Sequence, residues 1–273
     1  MGIDPISIIT KIAVQFIVSK VFAKKEAKRF GAGGANENSG IVANKSSSND
    51  PIPVVYGRRR IGGTRAFVGS TDGSGDADKT NILNMILILA EGEVGAIKKI
   101  FFNDTVIYNG GSTSSLGSGG VQITGYSDTK YGSTYIAFYP GTDTQSVDTT
   151  MKVSIGPSVW TDTRTLTGLA YLALKLPVDP DYNGAVPEIT VEFDGKKIRN
   201  AASTGSTVTG ADQNPADVML DYLTNSRYGK GLADADIDLT TFAAARNYFD
   251  NSGSPKFKVN GFLNTDKTLF NNV

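Results

Sequence analysis

The 273-residue sequence contains no cysteine and no histidine. Without cysteine there is no disulfide framework, no thiolate metal site and no cysteine nucleophile. Without histidine there is no Ser-His-Asp triad, and the commonest general base and the usual zinc ligand are missing too. Neither sign of charge is in excess, since 27 Lys and Arg balance 27 Asp and Glu. A dedicated nucleic-acid binder is usually clearly basic. Neutrality weighs against that class, but it is compatible with a surface that DNA passes without adhering. Tryptophan is reduced to Trp160, thin support for the exposed aromatic platform that a carbohydrate-binding β-protein would need. What the chain does have is glycine, at 31 residues, with many Ser, Thr, Asn and Asp. That composition suits short strands joined by many turns.

The N-terminal stretch "DPISIITKIAVQFIVSKVFAKKEAKRF" predicts a helix over about 5–23, with Asp4 as N-cap and Pro5 at its first position. Ser7, Lys11, Gln15 and Ser19 form one narrow polar stripe on an otherwise apolar surface. Lys11 at mid-length argues against a membrane span, and Asp4 ahead of any lysine argues against a signal peptide. Two readings remain: a helix buried against protein, or an assembly helix with its stripe facing an aqueous lumen. "GAGGANENSGIVANKSSSND" then reads as a long arm. The expected organisation is an assembly helix at 1–30, a flexible arm at 31–50, a β-rich domain at 51–205, and a helical segment leading into a second domain at 206–273. The fold class is mainly β with a few helices.

Within the β-rich region, "PIPVVYGRRRIGGTRAFV" predicts strand, break at Gly62–Gly63, strand. "TNILNMILILAEGEV" is almost continuously apolar, the pattern of a strand buried on both faces. "FNDTVI" carries a turn, "GSTYIAFYPG" alternates, and "LTGLAYLALKLPV" is another apolar strand. "VPEITVEFDGKKI" alternates up to Asp194-Gly195, a two-residue hairpin signal. Further on, Asn214 and Pro215 predict the start of a helix with an apolar face of Val218, Leu220, Tyr222 and Leu223, ending near Gly229. "IDLTTFAAARNYFDNSG" predicts a second helix with Asp238 as N-cap, and "KFKVNGFLN" a hairpin. No repeat at solenoid or propeller spacing is present.

The sharpest chemical candidate is the pair Glu91 and Glu93. In extended chain, residues two apart share a face, at roughly the spacing at which paired carboxylates flank a glycosidic bond. A peptidoglycan hydrolase using Glu91 or Glu93 is therefore the enzymatic alternative. Against it, Gly92 and Gly95 mark a turn, where charge is normally solvated or paired with arginines such as Arg58 or Arg65. Arg58 and Arg60 share one strand face and Arg59 takes the other, so the three form no single phosphate-binding patch. "DPDYNG" at 179–184 matches half of a calcium loop, but Thr190 stands where the closing glutamate is needed. Asp72, Asp76 and Asp78 suit a hairpin tip, and no G-K-[ST] motif is present. No catalytic, cofactor-binding or metal-ligating residue is assigned.

Taken in order, "NDPIPVVYGRRRIGGTRAF", "LILAEGEVGAIKKIFFNDTVI", "LTGLAYLALKL", "VPEITVEFDGKKI" and "NPADVMLDYLTNSRYGKGL" resemble the N-terminal hub region of phage tail tip proteins, the family of the lambda tip attachment protein J. The resemblance runs from about residue 37 onward and leaves out the N-terminal helix. It implies β-barrel-like hub domains related to tail-tube subunits, arranged as a homotrimeric, pseudo-sixfold collar at the distal end of a long flexible tail. It implies as partners the distal tail and tail-tube proteins, the C-terminal part of the tape measure protein, receptor-binding fibre or tip proteins, passing DNA that is not specifically bound, and the host membrane during ejection. The implied location is the virion, after synthesis in the host cytoplasm. The resemblance implies no catalytic residues and no cofactor, and casts "EGEVGAI" as a structural turn. Members are usually longer, so a natural chain continuing beyond Val273 is expected.

Overall fold

The computed structural model describes residues 44, 51–72, 82–110, 121–122, 134–177, 186–203, 205–210, 213–251 and 257–263. The expected N-terminal helix, most of the arm, the 179–184 loop, Asp76 and Asp78 lie outside them. Two compact units are present, Ser39–Lys196 with Gly261–Val273, and Met1–Asn38 with Lys197–Asn260.

The first unit is built on two antiparallel sheets. Strands β1 (Val54–Tyr56), β2 (Arg58–Gly62) and β3 (Thr64–Thr71) follow one another directly, yet each joins a different sheet. The chain changes sheet at Gly57 and again at Gly63; the sequence signalled only the second break. The five-stranded sheet has the order β3-β4-β9-β8-β7, with β4 at Ile82–Glu91, β7 at Val121–Gln122, β8 at Tyr135–Tyr139 and β9 at Leu169–Pro177. The four-stranded sheet has the order β2-β10-β5-β6, with β5 at Ile97–Phe102, β6 at Thr105–Asn109 and β10 at Ile189–Asp194. Both sheets are open among the described residues, so the mainly-β class holds without a closed barrel.

Why β4 and β9 are apolar on both faces along most of their length follows from the layering. Met85, Leu87 and Leu89 of β4, with Leu172 and Leu174 of β9, pack against Ile100, Phe102, Val191 and Phe193 of the four-stranded sheet. The alternate residues Ile86, Ile88, Tyr171 and Ala173 face away, into a second cluster with Met151, Ile155 and Trp160. Helix α1 (Thr149–Ile155) lies in that second cluster. The five-stranded sheet is thus the middle layer, and a strand covered on both faces has no polar side to show. β8 is buried on both faces for the same reason, although its sequence alternates.

The β5–β6 connection is a two-residue hairpin through Asn103 and Asp104, whose φ values of 47° and 66° match the mirror-image turn that favours Asn and Asp. The hairpin expected at Asp194-Gly195 does not form. Instead Gly195 donates its N–H to the Gly57 carbonyl at 2.8 Å, and Lys196 makes a bridge to Val94. The hairpin expected over 257–263 is also absent from the described residues. Val259 bridges Gln213, and β13 (Gly261–Leu263) pairs with β1. Both errors share a cause: a local turn signal competes with a long-range edge that needs a partner.

The second unit holds the short pair β11 (Ile198–Arg199) and β12 (Thr207–Val208), and helices α2 (Pro215–Thr224) and α3 (Leu239–Asn251). Asn214 caps α2 by accepting from the Ala216 N–H, and Asp238 accepts from the Thr241 N–H at the start of α3. α2 stops at Thr224, before the expected Gly229, because the Asn225 side chain accepts from the Arg227 and Tyr228 N–H groups and turns the chain. The face of α2 that enters the core is Ala216 and Leu220, with Asp217 buried beside them; Val218 and Tyr222 are only half-buried.

Candidate functional site

The turn after β4 is where the sequence placed its enzymatic candidate. A register shift between Ile88 and Ala90 puts Leu89 and Ala90 both in the inter-sheet core. Glu91, the last residue of β4, is 8% exposed, and its N–H bonds the Pro53 carbonyl at 3.0 Å. The extended geometry that would align Glu91 with Glu93 ends there, because Gly92 turns the chain at φ 84°. Its N–H reaches the Gly168 carbonyl at 2.7 Å, and Val94 N–H reaches the Pro140 carbonyl at 2.8 Å. Gly141, at φ 90°, lies so close that a Cβ there would sit 2.4 Å from the Gly92 carbonyl oxygen. Two backbones therefore cross at contact distance, which only glycine permits at that position. The Lys196 ammonium lies over the same turn, 3.0 Å from where a Cβ on Gly92 would be.

Gln145 clamps the crossing from the other side. Its Oε1 accepts the Gly141 N–H at 2.9 Å, and its Nε2 donates to the carbonyls of Thr165, Leu166 and Leu169. Nothing in the sequence singled out Gln145, since a glutamine in a polar stretch carries no period or motif. Asn44 acts similarly. Its side-chain amide accepts from Ile189 N–H at 2.8 Å and donates to Ile189 carbonyl at 2.7 Å, as a neighbouring strand would.

The arginine run meets acids of its own chain. Arg58 Nε donates to Asp194 at 2.7 Å, and Lys98 closes on the other Asp194 oxygen at 3.2 Å. Arg60 donates to Thr190 at 2.7 Å and pairs with Asp104, its guanidinium 3.8 Å above the Phe101 ring. Arg58 and Arg60 share the outer face of the four-stranded sheet, and Arg59 stands opposite Phe193 in register. On that face Asp194 and Asp104 thus pair with Arg58, Lys98 and Arg60. Arg65 reaches Asn44 at 3.4 Å.

Trp160 is 3% exposed and packs edge-on to Phe67 at 6.0 Å, so it offers no sugar platform. Among the described residues no group of three or more acids could hold a metal ion, and no helix is long and apolar enough to cross a membrane.

Two buried polar assemblies went unnoticed in the sequence. In one, Ser154 Oγ donates to Asn84 at 2.6 Å, Asn84 Nδ2 donates to Thr71 at 2.9 Å, and Thr71 Oγ1 donates back to the Ser154 carbonyl at 2.7 Å. This closed ring ties α1 to β3 and β4. In the other, fully buried Asp217 accepts the Ala201 N–H at 2.7 Å and Arg246 Nε at about 3.0 Å, and Arg246 continues to Asp250 at 2.7 Å. Burial raises the Asp217 carboxyl above its ordinary value, against the pull of the Ala201 N–H and of Arg246.

No family model matches the chain, and no curated protein is similar to it. Among solved structures, a chain from the virion of a native gene transfer agent particle is 15% identical, with a TM-score of 0.43 over 87% of this chain and 49% of that one. The present chain therefore spans about half the length of that neighbour. A likeness of that degree assigns no role.

Proposed function

We propose that this chain is a structural hub protein at the distal tip of a long flexible phage tail, closing the tail tube and joining it to receptor-binding parts for host attachment and DNA ejection. The observation that carries the reading is the order of the five sequence blocks that resemble tail tip hubs. Four of those blocks supply strands β1–β6, β9 and β10, the framework of both sheets, and the fifth supplies α2. The working form is a homotrimer in contact with tail-tube and distal tail proteins, the end of the tape measure protein and receptor-binding components. DNA passes through without specific binding.

The role is structural rather than catalytic. Support comes from the Glu91–Glu93 turn, whose backbone is committed to a crossing with Gly141 and over whose Gly92 the Lys196 ammonium lies. A glycosidase needs one carboxyl held protonated in an apolar pocket while the other stays ionised across a cleft. The test is to incubate the assembled protein with purified peptidoglycan and follow soluble fragments. No release is expected. Release that vanishes in Glu91→Gln/Glu93→Gln protein with intact assembly would replace the hub reading by the hydrolase.

A further inference from the structure

Asp148 is 1% exposed, yet it is a carboxylic acid. Its Oδ1 accepts the Met151 N–H at 2.7 Å and caps α1, while Oδ2 is buried with no hydrogen-bond partner. β8 and β9 present a stacked pair to it, Tyr139 and Tyr171, with ring centroids 4.6 Å apart and planes 5° from parallel. The Tyr139 hydroxyl hydrogen-bonds the carboxyl, and the buried Tyr171 hydroxyl has no partner. The other titratable groups facing Asp148 are Tyr135 of β8, whose hydroxyl is taken by Thr150, and Lys175 of β9. On α1 itself, Lys152 is held at the surface by Asp162 at 2.6 Å. Beneath the helix, Asn84 and Thr71 are neutral and saturated by Ser154. Among the described residues Lys175 is thus the one cation acting on the carboxyl, beside the backbone N–H groups of Met151 and Thr150 and the phenol of Tyr139.

We propose that the protonation state of Asp148 controls the seating of α1 on the outer face of the five-stranded sheet. Neutral, the carboxyl keeps its cap on Met151 and carries a proton on its otherwise unmatched oxygen. When the proton leaves for solvent, a charge remains that accepts hydrogen bonds only, and its Oδ2 is buried without a donor. The simplest relief is for the first turn of α1 to lift and admit water, loosening Met151 and Ile155 from Trp160 and Tyr171. Geometry and burial act together, because desolvation holds the carboxyl above its ordinary value despite the Met151 N–H, the Tyr139 hydroxyl, the Thr150 N–H and Lys175. The proposal does not depend on the tail-hub reading.

Trp160, the sole tryptophan, lies in the same cluster and reports on it. The experiment follows its fluorescence, with amide-exchange protection of residues 149–155, from pH 5 to 9 in the full chain. The wild-type chain should show one transition above the ordinary carboxylate range, protection falling by up to about tenfold for each pH unit as pH rises from the ordinary value toward the midpoint and levelling off beyond it. Asp148→Asn keeps a good helix cap without a charge, so it should stay protected throughout. Lys175→Met removes a cation that favours ionisation, so its midpoint should move to higher pH. A wild-type profile without a transition, a transition that survives in Asp148→Asn, or a Lys175→Met midpoint that stays put or falls would each overturn the proposal.

Discussion

Replacing Gly141 with alanine tests whether the turn after β4 is a backbone crossing. At φ 90° an L-residue is strained by about 1–2 kcal/mol. The added Cβ would also meet the Gly92 carbonyl oxygen at 2.4 Å and the Ala170 nitrogen at 2.9 Å, both backbone atoms that cannot rotate aside. Restoring contact distance requires a shift of about 1 Å, which stretches Gly92 N–H to Gly168 carbonyl and Val94 N–H to Pro140 carbonyl. Losing those two bonds costs about 1 kcal/mol each. The sum is roughly 3–4 kcal/mol, a large share of a domain's usual 5–15 kcal/mol. Gly168→Ala supplies the control, since it has φ 74° but no atom within 4 Å of its would-be Cβ. That variant should cost only the conformational strain, about 1–2 kcal/mol. The assay is urea unfolding followed by Trp160 fluorescence. Equal losses in the two variants would show that the crossing adds nothing, and the architectural account of "EGEVGAI" would fail.

The Thr71–Asn84–Ser154 ring predicts coupling. Asn84→Leu and Ser154→Ala should each destabilise by about 1–3 kcal/mol and fall short of additivity by about 1–2 kcal/mol in the double variant, measured by the same unfolding assay; strict additivity would contradict the ring. Arg246→Met should destabilise the 197–260 unit by about 2–4 kcal/mol at pH 8, because fully buried Asp217 loses its cation. Asp217 has a raised value in the folded state, so its contribution is whole below the unfolded carboxylate value and is lost as pH rises through the folded one. Removing Arg246 raises that value further. The penalty should therefore shrink on going from pH 8 to pH 5, as judged by exchange protection over 215–251, and a constant penalty would refute it. Leu172→Asp places an unpaired carboxyl between the sheets and should prevent soluble folding, which a solubility and circular-dichroism comparison with Leu172→Met would detect.

The parts of this fold legible in the sequence were those governed by local physics. The almost continuously apolar run at 82–90 announced a strand covered on both faces, the run at 169–176 announced another apolar strand, and Asn214-Pro215 and Asp238 announced two helix starts. Arg58 and Arg60 fell on one face because a strand alternates. The parts that were missed depend on contacts distant in sequence. α1 is only seven residues long and shows no clear period; its one signal was Asp148 placed ahead of "TTMKVSI". Asp194-Gly195 has hairpin chemistry, but Asp194 is drawn to Arg58 and Lys98, and Gly195 fits where the β1–β2 backbone passes. Asp217 sits on the buried face of α2 because Arg246, far along the chain, makes its burial tolerable. At the candidate site, the glycines around the glutamates were legible as a turn, but the crossing with Gly141 and the Gln145 clamp were not.

The central claim is that this chain is a structural component of a threefold tail-tip hub. The most direct measurement is light-scattering mass of the purified chain at micromolar concentration, in the presence of its distal tail partners and combined with the rotational symmetry of averaged electron micrographs. A ring containing three copies of the 28.9 kDa chain, with threefold averages, is the predicted result. A species that stays at the single-chain mass with those partners present, without rotational symmetry, would contradict it.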